Sequence, residues 1–271
     1  MEQFYTQSIN EEVISMINQL RADAFRLTRL TGFYLTLLLV IGYSALITKT
    51  KSVGGIMADA NENVLHHLAH SNWSIIDGIR GLTMSASVLM YVLMGLFVII
   101  IGYEFSQQTY KNTLISGISR FQFILAKYVM LLLTILVNIT IYFLTVIVTS
   151  LVLNRKLGTS WGHLLQTASI TTVTVAFFIS IVFSIAILIL MLTSSVIISS
   201  IFIVIFPLAI SMFHVDANWN WLTYVDFFGA SNKVAMGTLS PSQFGPYILT
   251  CGIILVICIG FSLLAIQEKE L

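Results

Sequence analysis

A chain of 271 residues that is 57% hydrophobic and only 9% charged, with a mean hydropathy of +0.93, cannot clothe a soluble surface. A water-soluble domain draws roughly 25% of its residues from Asp, Glu, Lys and Arg, so lipid must replace water around most of this one, and the chain is an integral membrane protein. A formal net charge of +1 excludes nucleic acid as a partner, because phosphate binding needs a concentrated basic patch.

The first residues, MEQFYTQSINEE, are acidic and polar, unlike a cleavable signal peptide. Over residues 9–28, Ile9, Val13, Met16, Ile17, Leu20, Ala24 and Leu27 recur at steps of three and four. Asn10, Glu11, Ser15, Asn18, Arg21 and Asp23 fall largely on the other side. This pattern predicts an amphipathic helix lying flat in the headgroup layer, with Arg21, Arg26 and Arg29 facing anionic lipid. An extension of the first span is the simpler reading of the same residues.

A spanning helix needs about 20 mostly apolar residues. Residues 30–47, 82–103 and 123–153 qualify. The stretch 164–213 would be about 75 Å long as one helix, so it must fold back. Its polar cluster Thr193-Ser194-Ser195 places the turn, giving spans at 164–192 and 196–213. Residues 247–266 complete an all-α membrane protein of six transmembrane helices, one domain over 1–271, with both termini on one side.

The basic residues divide seven to six between the two sides. The first segment and the second-to-third connection favour cytoplasmic termini. Two connections then lie outside. Residues 48–81 contain a second amphipathic run around Val64, Leu65, Leu68, Ile75, Ile76 and Ile79. Residues 214–246 carry Trp219, Trp221, Tyr224, Phe227 and Phe228, a density of aromatics suited to headgroup depth. Both predict short helices dipping into the outer leaflet, the latter before span six. Cys251 and Cys258 lie seven apart in the last span and read as core or lipid-facing thiols.

Between spans two and three lies the polar stretch TYKNTLISGISR, Thr109 to Arg120. Thr109 to Ile118 has helical length, and Gly117 is placed to stop it. Arg120 and Lys127 return the chain to the membrane as basic residues at headgroup depth. A short helix held between two spans is a handle that a soluble partner can grip.

The pattern of Glu104 closing a span, followed by Thr109, Leu114, Gly117-Ile118-Ser119-Arg120 and Lys127-Tyr128, resembles the type-2 ABC exporter permeases. Within that group it is most similar to bacterial permeases for bacteriocin, lantibiotic or peptide-toxin export and self-immunity. As architecture the resemblance covers the whole chain; as motif it covers about 25 residues. Gln108-Thr109 departs from the Gly-Thr of many members. The resemblance implies that this segment is a coupling helix, with Thr109, Tyr110, Lys111, Asn112, Thr113 and Leu114 toward an ATPase subunit. It implies that Glu104 ties the base of span two to neighbouring polar groups, and that Arg120 and Lys127 anchor span three. It further implies two ATPase subunits per complex, a second copy of this permease or a related one, and residence in the bacterial plasma membrane. The substrate would be an amphipathic peptide or a hydrophobic drug.

The chain carries no G-x-x-x-x-G-K-[ST] loop, no G-x-S-x-G elbow and no H-E-x-x-H pair, so it is not expected to be an enzyme or to bind a cofactor itself. ATP and magnesium would belong to the partner subunit. His66 and His70 have metal-ligand spacing but no matching third ligand, and no metal is expected. Asn138, midway through span three, is expected to bond another helix or to line a substrate path. Asp216 and Asp226 are further candidates for that path, though ordinary surface roles explain them more simply. Pro207 should kink span five. No span interior is expected to hold a charge, which counts against an ion-coupled secondary carrier. A channel, or a non-transporting immunity or scaffold protein that binds a peptide, would also be compatible with these features.

Overall fold

The computed structural model describes residues 2–55, 73–115, 117–216, 220–239 and 243–267. The chain is an all-α membrane protein: among the described residues there is no strand, and six helices are long and apolar enough to cross a bilayer. His66, His67, His70, Val64, Leu65, Leu68 and Trp219 lie outside the described residues.

Helix α1 spans Glu2–Arg29, longer at its start than the pattern predicts. It breaks at Leu30, whose extended backbone (φ −90°, ψ 126°) turns the chain into α2, Thr31–Thr50, the first span. Helix α3, Ile75–Met84, begins with a capping box in which Ser74 and Asp77 each bond the other's backbone N–H. Ser85 interrupts it, and α4, Ala86–Phe97, runs on through a π-helical turn, Val98–Gly102, into α5, Tyr103–Ser106. These three pieces form the second span. After the short α6, Tyr110–Ile115, come α7, Arg120–Val152, and α8, Trp161–Thr193, of 33 residues each.

Such helices are about 50 Å long, against roughly 30 Å of hydrocarbon, so both project beyond the bilayer core. The turn falls where the serines predict it. Ser194 adopts the left-handed conformation (φ 56°), and Thr193 Oγ1 accepts the Ser195 N–H at 3.2 Å. Helix α9, Val196–Asp216, runs through Pro207 as a single helix; a 3-10 turn at Asn220–Tyr224, then α10, Phe227–Ala235, and α11, Phe244–Gln267, follow.

Helix α8 is the hub, packing against α7, α9, α10 and α11. Within its most apolar stretch 72% of residues are buried by protein, against 22% in α9 and in α11. The outer helices therefore turn residues such as Ile197 and Val256, both more than 70% exposed, toward lipid. Hydroxyls inside the bundle bond backbone carbonyls, as hydrocarbon requires. Ser44 Oγ donates to the Tyr142 carbonyl at 2.8 Å, and the Tyr142 hydroxyl donates to that of Leu82 at 3.1 Å, stitching α2 to α7 and α7 to α3.

The two short outer helices differ from expectation. Ile75, Ile76 and Ile79 are helical but sealed inside the protein, where α3 packs on α7 and α10. Phe227 and Phe228 are likewise buried, Phe227 stacking on Phe178 of α8 and Phe206 of α9. Apolar runs this short have no period that separates a lipid face from a protein face.

Candidate coupling interface

Lys127 lies two turns into α7 with a side chain that is 0% exposed. Its ammonium donates to both carboxylate oxygens of Asp23 on α1, at 2.8 and 2.7 Å, and to Glu104 Oε1 on α5 at 2.8 Å. Arg26 on α1 closes the group from the rim. Its Nη1 pairs with Glu104 Oε1 and its Nη2 donates to the Ile100 carbonyl at 2.9 Å, inside the π turn. Two acids and two bases thus cancel in charge, as a buried cluster at a bilayer boundary must.

The π turn matters to this geometry. A turn closed by i→i+5 bonds shifts everything after it by roughly one residue around the helix axis. Here the shifted residues are Tyr103 to Ser106, which include Glu104, and a carbonyl within the turn serves Arg26.

Three expectations are corrected by this cluster. Lys127 does not reach outward to lipid headgroups but is enclosed by protein, with the Phe123 ring 5.4 Å from its Nζ. Asp23 does not face away from the apolar side of α1; it is 4% exposed. Arg26 pairs with protein rather than standing free for lipid. Glu104 and Lys127 lie toward the ends of the second and third spanning helices, Ala86–Ser106 and Arg120–Val152. The sequence carries one usable signal: Asp23 falls within the stripe of Leu20, Ala24 and Leu27, and an acid on an apolar stripe requires a buried partner.

Beyond Glu104 the chain turns sharply. Gln108 adopts φ 55°, and the Thr109 N–H donates to the Glu104 carbonyl at 3.0 Å. Helix α6 follows and stops before Gly117, whose φ of +99° only glycine takes without strain. Ser119 and Gln122 form a capping box that starts α7 one residue before Arg120 is reached.

Tyr110 and Leu114 are 8% exposed, and the Tyr110 ring stacks on Phe105 at 4.4 Å. They seat α6 on the bundle and cannot contact a partner face-on, a correction for these two residues. The outward face consists of Gln107, Gln108, Thr109, Asn112 and Ile115, with Lys111 and Thr113 half-buried at its edges. Ile115 is 69% exposed, a large apolar side chain on that face. Arg120 is half-buried at the start of α7 and makes no ion pair among the described residues.

Of the three substrate-path candidates, Asn138 and Asp226 each bond within their own segment. Asn138 is fully buried, but its Nδ2 bonds the Thr134 carbonyl of its own helix at 2.9 Å, not another helix, and its Oδ1 has no partner. Asp226 caps α10, its Oδ1 accepting the Gly229 N–H at 3.0 Å, and is 7% exposed. Asp216 is the last residue of α9. Among the described residues no group of three or more His, Cys, Asp or Glu could hold a metal.

Residues 31–271 match a protein family described as Protein of unknown function (DUF2705). The chain belongs to this family. The match takes in all six spans and the whole of α5 to α7, while α1, which supplies Asp23 and Arg26, precedes it. No curated protein and no solved structure matches the chain.

Proposed function

We propose that this DUF2705 protein is the membrane subunit of an ATP-driven exporter, whose ATPase is a separate polypeptide docking on α6. The observation that carries the reading is the construction of α6: a short helix between spans two and three, seated by two buried side chains and fixed at its root by the Lys127 cluster. A push on its exposed face reaches α1, α5 and α7 together, because Asp23, Glu104 and Lys127 belong to one bonded group. That is the mechanical requirement for turning ATP-driven closure of a partner dimer into motion of spans. The chain's own sequence offers no phosphate-binding loop, so the motor is elsewhere.

Two such six-span units, alike or related, would enclose the path, and the apolar span interiors suit an amphipathic peptide or hydrophobic drug. The test is purification from native membranes in mild detergent. An ATPase subunit should accompany the chain at one per copy. Replacing Gln108, Asn112 and Ile115 by Glu, with Tyr110 and Leu114 intact, should remove it.

One observation favours a second reading. Glu104 Oε2 is buried without a partner, a lone carboxylate oxygen of the kind on which an ion-coupled carrier binds its ion. Uptake by the purified chain alone, driven by an ion gradient and lost in Glu104→Gln, would replace the exporter reading with this one.

A further inference from the structure

At the end of the bundle opposite α6, a cleft of about 730 Å³ opens between the C-terminal ends of α2 and α7 and the start of α3. Lys49, Lys51, Arg155 and Lys156 line it. Backbone bonds and close packing fix its floor. The Ile75 and Ile76 N–H groups donate to the Lys156 and Leu157 carbonyls at 2.9 and 3.3 Å, pinning the strap after α7 to the start of α3. Gly158, at φ +76°, lies so close to Ser74 that a Cβ there would overlap its Oγ. Arg155 donates through Nη2 to the Thr48 carbonyl and lies 5.9 Å from the centre of the buried Trp73 ring.

Among the described residues the charge in this cleft is unbalanced. The one carboxylate among them that lines it, Asp77, is already engaged by Ser74 and by Arg80. Lys49, Lys51, Arg155 and Lys156 make no ion pair among the described residues, and Arg155 Nη1 is buried with no partner. Partial burial also lowers the Arg155 pKa from its ordinary value, because desolvation disfavours the charged form. Four of the chain's thirteen Lys and Arg residues gather here, which is why counting charges on the two sides gives a near tie.

A second cavity, about 300 Å³ and almost wholly apolar, runs from this cleft down the lipid-facing side between α2 and α7. The two share Lys49 and Leu153. The groove walls include Leu46, Val148 and Val152, the last 75% exposed. A cationic cleft beside an apolar groove, the two sharing a wall at Lys49 and Leu153, has the polarity of a single amphiphile.

We propose that this is a binding site for an anionic lipid, with its phosphate-bearing headgroup among Lys49, Lys51, Arg155 and Lys156 and an acyl chain along the groove beside Val152. Basic pockets between spans recognise phosphate headgroups in this way, each Lys or Arg contributing attraction that water at the boundary only partly screens. The site is independent of the ATPase reading, since it uses the opposite end of the bundle.

The test is native mass spectrometry of the detergent-solubilised protein titrated with phosphatidylglycerol, phosphatidylcholine or inorganic phosphate. Phosphatidylglycerol should be retained in preference to phosphatidylcholine. The Lys49→Gln, Lys51→Gln, Lys156→Gln triple variant leaves the half-buried Arg155 in place and should weaken that retention by roughly tenfold or more. Val152→Trp, which fills the groove, should weaken it as well, whereas Ile201→Trp in a separate groove lined by Met94 and Val98 should not. Equal retention of the two lipids, or unchanged retention in the triple variant, overturns the site. Inorganic phosphate binding as tightly as the lipid, with Val152→Trp silent, overturns the lipid assignment.

Discussion

Lys127 Nζ and Asp23 Oδ2 lie 2.7 Å apart, although 104 residues separate them in the chain and neither side chain is more than 4% exposed. The contact fixes α1, a helix running along the foot of the bundle, to the third span. With Glu104 and Arg26 it gathers four ion pairs at the root of the α5–α7 connection.

Removing the central cation should be costly. Lys127→Met leaves Asp23 and Glu104 facing each other with only the rim-placed Arg26 between them, a change that typically costs about 3–5 kcal/mol. Lys127→Met combined with Asp23→Asn leaves Glu104 and Arg26 as a balanced pair and should recover a substantial part of that loss. Unfolding of both variants and of Asp23→Asn in one detergent gives the cycle; additive effects would show that the three groups are not coupled.

The two sides of α6 should respond differently. Tyr110→Ala or Leu114→Ala removes a buried anchor and should cost about 2 kcal/mol locally, read as faster amide exchange across residues 110–115. Asn112→Ala and Ile115→Ala alter exposed side chains and should leave exchange unchanged while weakening the ATPase partner. Equal exchange in all four variants would mean α6 is not seated as described.

Asp226 and Gly229 form a cap that tolerates change at neither position. A Cβ on residue 229 would overlap Asp226 Oδ2, so Gly229→Ala should displace the carboxylate and cost as much as losing the cap outright, about 1 kcal/mol. The Asp226→Ala, Gly229→Ala double variant should be no worse than either single one. A fully additive double variant would show that the glycine serves something other than the cap.

Much of this architecture is legible from the chain alone, because lipid imposes a simple rule: every span must be apolar and long. Spans predicted at 30–47, 123–153 and 247–266 become Thr31–Thr50, Arg120–Val152 and Phe244–Gln267. Ser194 marks the reversal, since a run of hydroxyl residues is the one place where a 50-residue apolar stretch can turn. The stop at Gly117 is legible for the same local reason. Lys127 is not, because a lysine near a span end looks the same whether it reaches outward to headgroups or inward to a carboxylate. Its partners sit 23 and 104 positions away, beyond any periodicity. The basic cleft is hidden likewise: Lys49, Arg155 and Lys156 belong to different connections, and only the packing of α2 against α7 assembles them.

Energy can enter through α6 only if that helix lies on the side of the membrane where ATP is. Ile115→Cys places one thiol on the exposed face of α6, while the native Cys251 and Cys258 are buried and should stay silent. Intact cells treated with a membrane-impermeant maleimide should leave Cys-substituted position 115 unlabelled, and permeabilised cells or inverted vesicles should label it fully. Labelling of that position in intact cells would put α6 outside and contradict the proposal.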